Sequence, residues 1–246
     1  MDLNPTLDLS VVVPVHNERD NVAPLVREIE AALAPLSLTW EMVYVDDRSR
    51  DDTLAQLRAL KAAHPRLRVL HHRSQSGQST ALRTGIKAAR GRWIATLDGD
   101  GQNDPADIPK LLAARDAGNP KTRLYAGWRV QRRDSGSKRW ASKVANAIRA
   151  RLLRDETPDT GCGIKLFERA VYLDLPYFDH MHRYLPALVK RAGWQSVSVP
   201  VNHRERTAGQ SKYNNLQRAW VGLKDLRGVA WLIQRSKLTD VDELAE

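Results

Sequence analysis

The strongest restriction on the fold is a rhythm of short β-branched runs, each bounded by turn residues and followed by a helical pattern. Leu9 to Val15 precedes apolar residues at helical spacing from about Asn21 to Leu33, with Asn21 or Asp20 as the cap. Glu41 to Val45 leads through Asp46-Asp47-Arg48-Ser49 to a second helical stretch from about Asp51 to His64. Leu67 to His71 precedes a third from about Ser79 to Ala89, and Trp93 to Leu97 then runs into Asp98. Runs buried on both faces read as parallel strands, and the helical intervals between them as crossovers. Four such units in succession predict an α/β fold with a mostly parallel sheet flanked by helices, in which ligands bind outside the carboxyl ends of the strands.

The polar clusters fall at those ends: His16-Asn17-Glu18, Asp46-Asp47 and Asp98-Gly99-Asp100 each follow directly on a strand. Two carboxylates one residue apart repel each other unless a cation compensates them. Mg2+ and Mn2+ take oxygen ligands and bridge protein carboxylates to phosphates. Asp98 and Asp100 are therefore candidate metal ligands, Gln102 can add an amide oxygen, and Gly99 lets the backbone approach a ligand. Taken alone, the motif is equally compatible with a solvated turn. Asp46-Asp47 can accept hydrogen bonds from a ribose or a base, or can simply precede a helix capped by Asp51 or Asp52. His71-His72-Arg73 reads as a solvated strand edge, because adjacent side chains on a strand point apart. Cys162, the single cysteine, excludes an internal disulfide and a multi-cysteine metal site, and reads as a small packed residue.

Thirty-nine Lys and Arg against 29 Asp and Glu give a net charge of +10, which attracts polyanions such as nucleotides, anionic lipid or nucleic acid. No zinc-finger spacing or RNP-like aromatic motif is present, so nucleic acid is not an expected partner. After a short strand at Leu124 to Gly127, basic residues crowd residues 129–154, with Trp140, Val144, Ala147 or Ile148, and Leu152 at helical spacing. A second basic amphipathic helix runs from about Leu216 to Ile233. Such helices can lie in a membrane interface, burying Trp220, Trp231 and Leu226, or they can pack on their own domain. No run reaches the roughly 18 apolar residues of a spanning helix, and Met1-Asp2-Leu3-Asn4 lacks the features of a signal peptide. The expectation is a cytoplasmic protein, peripheral on the cytoplasmic face of a membrane, with an acidic, frayed end from Leu238 to Glu246.

In this order, Val12-Val13-Pro14-Val15-His16-Asn17-Glu18, Val45-Asp46-Asp47-Arg48-Ser49-Arg50-Asp51-Asp52-Thr53 and Leu97-Asp98-Gly99-Asp100-Gly101-Gln102-Asn103-Asp104-Pro105 resemble the family-2 glycosyltransferases of the GT-A fold, over roughly residues 8 to 215. Asp159-Thr160-Gly161-Cys162-Gly163-Ile164-Lys165-Leu166-Phe167, His182-Arg183-Tyr184-Leu185-Pro186 and Arg206-Thr207-Ala208-Gly209-Gln210-Ser211-Lys212-Tyr213 resemble its dolichyl- or polyprenyl-phosphate mannosyltransferase branch. The resemblance implies a GT-A catalytic domain over 1–212 with a helical extension over 213–246. It also implies a nucleotide-sugar donor, a polyprenyl-phosphate acceptor, Mg2+ or Mn2+, inverting displacement, and in some relatives a small membrane-anchoring partner protein.

It places Pro14, His16, Glu18, Asp47, Asp98, Gly99 and Asp100 around the nucleotide, and Asp98, Asp100 and Gln102 at the metal. Asp100, Arg206 and Lys212 carry catalysis, the last two beside the diphosphate. Arg129, Arg139, His182 and Arg183 are candidates for the acceptor, with Lys138 and Ser142 competing for the same role. Three positions depart from the common pattern: His16 for Tyr, Arg48 for Gly and Gly99 for Ala. A lipid phosphate arrives already anionic and needs positioning, whereas a saccharide hydroxyl, the alternative acceptor, needs a general base. Asp159 is the candidate base for that alternative.

Overall fold

A computed structural model describes residues 5–130, 149–153, 155, 157–202, 204 and 215–239, the side chains of 215–220 excepted. Arg139, Arg206 and Lys212 lie outside these residues, as do Lys138, Ser142, most of the basic helix expected over 129–154 and the side chain of Trp220.

Seven strands form one sheet: β1 (Leu7–Val15), β2 (Trp40–Asp46), β3 (Leu67–His71), β4 (Gly91–Thr96), β5 (Thr122–Arg129), β6 (Lys165–Glu168) and β7 (Gln195–Val201), in the order β3-β2-β1-β4-β6-β5-β7. Every neighbouring pair is parallel except those made by β6, which runs antiparallel to β4 and β5. The helices are α1 (Arg19–Leu33), α2 (Thr53–Ala63), α3 (Gln78–Ala88), α4 (Ile108–Asp116), α5 (Arg169–Asp174), α6 (Leu185–Arg191) and α7 (Asn215–Gln234).

The continuous valine run of β1 is explained by cover on both faces. Val11, Val13 and Val15 pack with Val22, Leu25, Val26 and Ile29 of α1, while Val12 joins Val43, Val45 and the α3 residues Ala81, Leu82 and Ile86 on the opposite face. Fully burying a side chain of this size contributes roughly 1.5–3 kcal/mol, so both layers hold the central strands. α3 crosses β1 at Gly85, where a Cβ would lie 2.5 Å from Val12 Cγ1.

The α1 boundary differs from expectation. The helix starts at Arg19 with Glu18 in the capping position, because Thr53 Oγ1 fixes the Glu18 amide at 2.9 Å and Glu18 Oε2 accepts from Asn21 Nδ2 at 2.7 Å. Asn21 is thus inside the first turn and not its cap.

α7 is docked on the body of the protein. Leu226 and Val229 are buried among α6 residues, Tyr184 donates to the Gly222 carbonyl at 3.2 Å, and Arg191 Nε donates to that of Leu232 at 2.9 Å. Of the two alternatives for Leu226, a membrane interface or its own domain, the structure takes the second, since the helix turns that stripe inward. Leu223, Trp231 and Leu238 remain exposed. Among the described residues no helix is long and apolar enough to cross a membrane.

Candidate active site

Each strand-end cluster sits on the same edge of the sheet, and sharp local backbone turns bring the side chains back over it. Asn17 and Arg48 adopt left-handed conformations, with φ of 55° and 57°, directly after β1 and β2. Asn17 Oδ1 accepts from the Arg50 amide at 2.7 Å, and the Asn17 amide donates to Ser49 Oγ at 2.9 Å, so the two loops hold each other. His16 Nδ1 donates to the Asp47 carbonyl at 2.9 Å. That bond fixes its tautomer and leaves Nε2 as an acceptor for Asn17 Nδ2 at 3.3 Å.

Asp47 is buried and heavily engaged. His72 Nδ1 and the Ser76 amide donate to its Oδ1, and the Gly77 amide to its Oδ2, each at 2.8 Å. A carboxylate offers about four lone-pair directions, so most of its capacity goes to holding the loop before α3. The neighbouring Asp46 accepts from His71 Nδ1 at 2.7 Å. His71 does stay exposed on the sheet's edge strand, as expected, but both imidazoles are engaged. Adjacent side chains do point apart, but those of Asp46 and Asp47 do as well, and the β2–β3 register opposes Asp46 to His71, so each imidazole meets its own carboxylate. His72 Nε2 is also bound, to Thr84 Oγ1 at 2.9 Å.

Asp98 and Asp100 follow β4. The Asp98 amide donates to Asn103 Oδ1, and Gln78 Nε2 donates to Asp98 Oδ1, both at 2.8 Å. Burial and then repulsion from Asp100 raise the Asp98 pKa, against the opposing pull of Lys165, Arg129 and the Gln78 hydrogen bond. Gly163 explains how a half-buried carboxylate fits here: a Cβ at that position would lie 2.2 Å from Asp98 Oδ2. Gly99 is similarly required, since its Cβ would meet Val15 Cγ1 at 2.6 Å and the Pro14 carbonyl at 2.9 Å.

The Gly161-Cys162-Gly163 segment is pinned from several sides. Thr96 Oγ1 donates to the Gly163 carbonyl at 2.8 Å, and Lys165 Nζ donates to that of Cys162. Arg129 grips Asp159 through Nε at 2.7 Å and Nη2 at 2.9 Å. Burial works against the charge of Arg129, but the hydrogen bond and charge of Asp159, together with Cys162 and Asp98, outweigh it and raise the guanidinium pKa. Burial lowers the pKa of Lys165, which Cys162, Asp98 and Asp159 partly oppose. Cys162 is fully buried and packed, as expected.

Beside Asp98 opens a cavity of about 200 Å3 whose polar wall includes Gln78, Thr160, Lys165, His182 and Arg183, over an apolar floor of Ile86, Phe167, Tyr172 and Leu185. His182 Nδ1 shares a 2.6 Å hydrogen bond with Ser79 Oγ. Burial, then Lys165 and Arg183, push its pKa well below the ordinary histidine value, so the ring is neutral. The structure therefore groups His182 and Arg183 with Asp98, while Arg129 stands off the cavity wall beside Asp159.

Chemically, the acidic pair suits a hard dication. Asp98 stays incompletely compensated by the cations around it, and among the described residues no three His, Cys, Asp or Glu side chains converge on one point. Mg2+ is bound in this manner, through one or two carboxylates with phosphate and water oxygens completing its shell. Gln102 is fastened nearby, because its carbonyl accepts from the Arg204 amide at 3.2 Å while the Arg204 guanidinium binds Asp104 and Glu28, each at 2.6 Å. Sequence reasoning missed Gln78, Asn103, Gly163, Lys165 and Arg204 as parts of this site. A glutamine opening the helix after β3 was the one available signal for Gln78.

The strand order with its single antiparallel strand, and acidic residues at the strand ends, define a glycosyltransferase of the GT-A fold. A glucosyl-3-phosphoglycerate synthase from Mycobacterium tuberculosis, solved with Mg2+ and uridine diphosphate, superposes with a TM-score of 0.67 at 19% identity, covering 96% of this chain and 81% of that one. The chain belongs to glycosyl transferase family 2, whose profile matches residues 10–175.

A dodecaprenyl-phosphate galacturonate synthase from Rhizobium johnstonii is 34% identical over 239 residues, covering 93% of this chain and 68% of the relative. An undecaprenyl-phosphate 4-deoxy-4-formamido-L-arabinose transferase from Pseudomonas savastanoi pv. phaseolicola is 33% identical over 215 residues, 87% of this chain and 63% of the relative. The chain thus spans about two thirds of the length of these relatives.

Proposed function

We propose that the protein transfers a sugar from a nucleotide-sugar donor to a polyprenyl phosphate with inversion. The acceptor phosphate oxygen forms a bond to the anomeric carbon as the bond from that carbon to the diphosphate breaks, and the nucleoside diphosphate leaves. The observation that carries this reading is that, among the described residues, no carboxylate at the cavity is left over to act as a base. Asp98 is the one carboxylate lining the cavity among the described residues, and Asp159, the candidate base for a saccharide acceptor, is held in a bidentate pair by Arg129. An acceptor that arrives ionised needs no base. The names of both relatives, which act on dodecaprenyl and undecaprenyl phosphates, support the same acceptor class.

In this reading Pro14, His16, Glu18 and Asp47 receive the nucleoside. Asp98, Asp100 and Gln102 hold Mg2+ or Mn2+, which when bound neutralises charge on the departing diphosphate. Arg206 and Lys212 flank that diphosphate, and Arg129 and Arg139 serve the acceptor. The protein works from the cytoplasmic face of a membrane, meeting anionic headgroups through Lys224, Arg227 and Trp231 on the outer side of α7. A small anchoring protein is the other partner suited to that face.

The test incubates purified protein with Mg2+, labelled nucleotide sugars and undecaprenyl phosphate. An acid-labile glycolipid forms, and Asp100→Ala lowers its rate at least about a hundredfold. No lipid product with any donor removes the acceptor assignment, and full activity in Asp100→Ala removes the metal site. Vesicle flotation addresses localisation: Trp231→Ser weakens binding to anionic vesicles if α7 itself meets the bilayer, and leaves it unchanged if a partner does the anchoring.

A further inference from the structure

The stretch of cavity wall at His182 and Arg183 is held from outside the site. Between α5 and α6 the chain makes a 3-10 turn at Met181–Arg183. The Arg183 amide closes it on the His180 carbonyl at 3.0 Å, and the Tyr184 amide binds the Met181 carbonyl at 2.9 Å. His180 leads into the turn with φ of 65°, a left-handed conformation that a Cβ disfavours. Met181 is buried in the core, while His182 and Arg183 line the cavity.

α7 grips this turn at both ends. Asp225 Oδ2 accepts from His180 Nδ1 at 3.1 Å, and about one helical turn earlier the Gly222 carbonyl accepts from the Tyr184 hydroxyl at 3.2 Å. Burial, then the Asp225 charge, push the Tyr184 phenol up to about 12, so it stays protonated and able to donate. Asp179, the other acid beside His180, is exposed and stands 3.5 Å from Nε2. On the cavity side His182 has a bond of its own, to Ser79. The Arg183 guanidinium has neither an ion-pair nor a hydrogen-bond partner among the described residues. Its place is therefore set by the backbone that carries it, and the entry of that backbone is set at His180.

We propose that Asp225 is a positioning residue for the transfer: through His180 it holds the turn that presents Arg183 to the cavity. This rests on the reading above, in which the diphosphate lies at Asp98 and Asp100 and the adjoining cavity receives the sugar. Magnitudes separate this role from plain support of the fold. The side chains of His180 and Asp225 are 32% and 19% exposed, and a pair in contact with solvent contributes little to stability. Leu226 and Val229 keep α7 in the core without it. A displacement of ~1 Å at a reacting centre, by contrast, lowers the rate by about a hundredfold.

The experiment compares the parent with Asp225→Ala, Asp225→Asn, Arg183→Gln and the double variant Asp225→Ala/Arg183→Gln. Amide hydrogen exchange read by mass spectrometry follows the turn, urea denaturation follows the fold, and kcat/KM for labelled UDP- and GDP-sugars with undecaprenyl phosphate and Mg2+ follows the transfer. In Asp225→Ala, exchange across residues 181–184 quickens about tenfold while β1 and α1 keep the parent's protection. The urea midpoint moves little, and kcat/KM falls about tenfold or more. Asp225→Asn, which keeps an oxygen for His180 Nδ1, restores part of both. In the Arg183→Gln background Asp225→Ala lowers kcat/KM by less than about twofold, whereas independent residues would combine additively in free energy. Unchanged exchange at the turn, a loss of protection that spreads through the whole sheet, full activity in Arg183→Gln, or two effects that multiply overturns the proposal. If no donor gives a lipid product the acceptor assignment falls, and exchange at residues 181–184 still decides whether Asp225 holds the turn.

Discussion

Gly163→Ala tests whether the Asp98 carboxylate must sit where it does. The new Cβ would lie 2.2 Å from Asp98 Oδ2, 2.4 Å from its Cγ and 2.5 Å from Asn103 Oδ1, where ordinary contact begins at 3.4 Å. Something must move by about 1 Å. The carboxylate cannot swing freely, because Gln78 holds its Oδ1 and Asn103 holds its amide, both at 2.8 Å. Overpacking of this kind costs about 1–3 kcal/mol of stability. A misplacement of ~1 Å at a reacting centre costs about a hundredfold in rate. Urea denaturation reads the first effect, and steady-state transfer with Mg2+ titration reads the second. A variant whose kcat/KM and Mg2+ dependence stay within about threefold of the parent would refute the claim that Gly163 sets the carboxylate position.

Three further changes bear on other parts of the argument. Arg48 occupies a left-handed conformation with φ of 57°, so Arg48→Gly relieves backbone strain and raises stability by about 1 kcal/mol; a lower urea midpoint contradicts this. Gly228 lies inside α7 with no heavy atom within 4 Å of where its Cβ would be, so Gly228→Ala stabilises by roughly 0.5–1 kcal/mol, and a loss of stability shows that the face is covered. His182 resists protonation when folded, whereas the unfolded ring takes a proton near pH 6.5. The unfolded state therefore binds more protons below that pH, and stability falls as pH drops below about 6.5, by at most about 1.4 kcal/mol per unit. His182→Asn flattens that fall between pH 7.5 and 5, and an unchanged pH profile in the variant rejects the assignment.

The first half of the fold was legible because β1 and β2 are apolar and buried on both faces, and because each of the first four strands is bounded by turn residues and followed by a helix. The sheet's other half gave weaker signals. β6 has only four residues, one of them the buried Lys165, too few for a periodicity to register. In β7, Pro200 argues against a central strand, and β7 does lie at the sheet's edge. The same division holds for the site. Acids at strand ends announce themselves by position, but Gln78 reaches Asp98 from 20 residues away and Gly163 abuts it from just before β6, the strand that pairs with β4. Neither shows a local pattern that distinguishes it from an ordinary helix start or loop glycine.

These non-local contacts make the separate motifs one device. The Ser76 and Gly77 amides bind Asp47, Gln78 binds Asp98, and Ser79 binds His182. Four consecutive residues thus tie Asp47, Asp98 and His182, at the wall of the cavity, to the start of one helix. Gly77 allows this by taking φ of 83°, a conformation that directs successive groups to different partners and that a side chain would disfavour. α3 is in turn locked against β1 at Gly85, so the segment has a rigid support. Asp47 therefore has a structural role beside the nucleoside contact proposed for it. By fixing residues 76 and 77 it sets the reach of Gln78, and through Gln78 the orientation of the Asp98 carboxylate, to which the proposed function gives the metal.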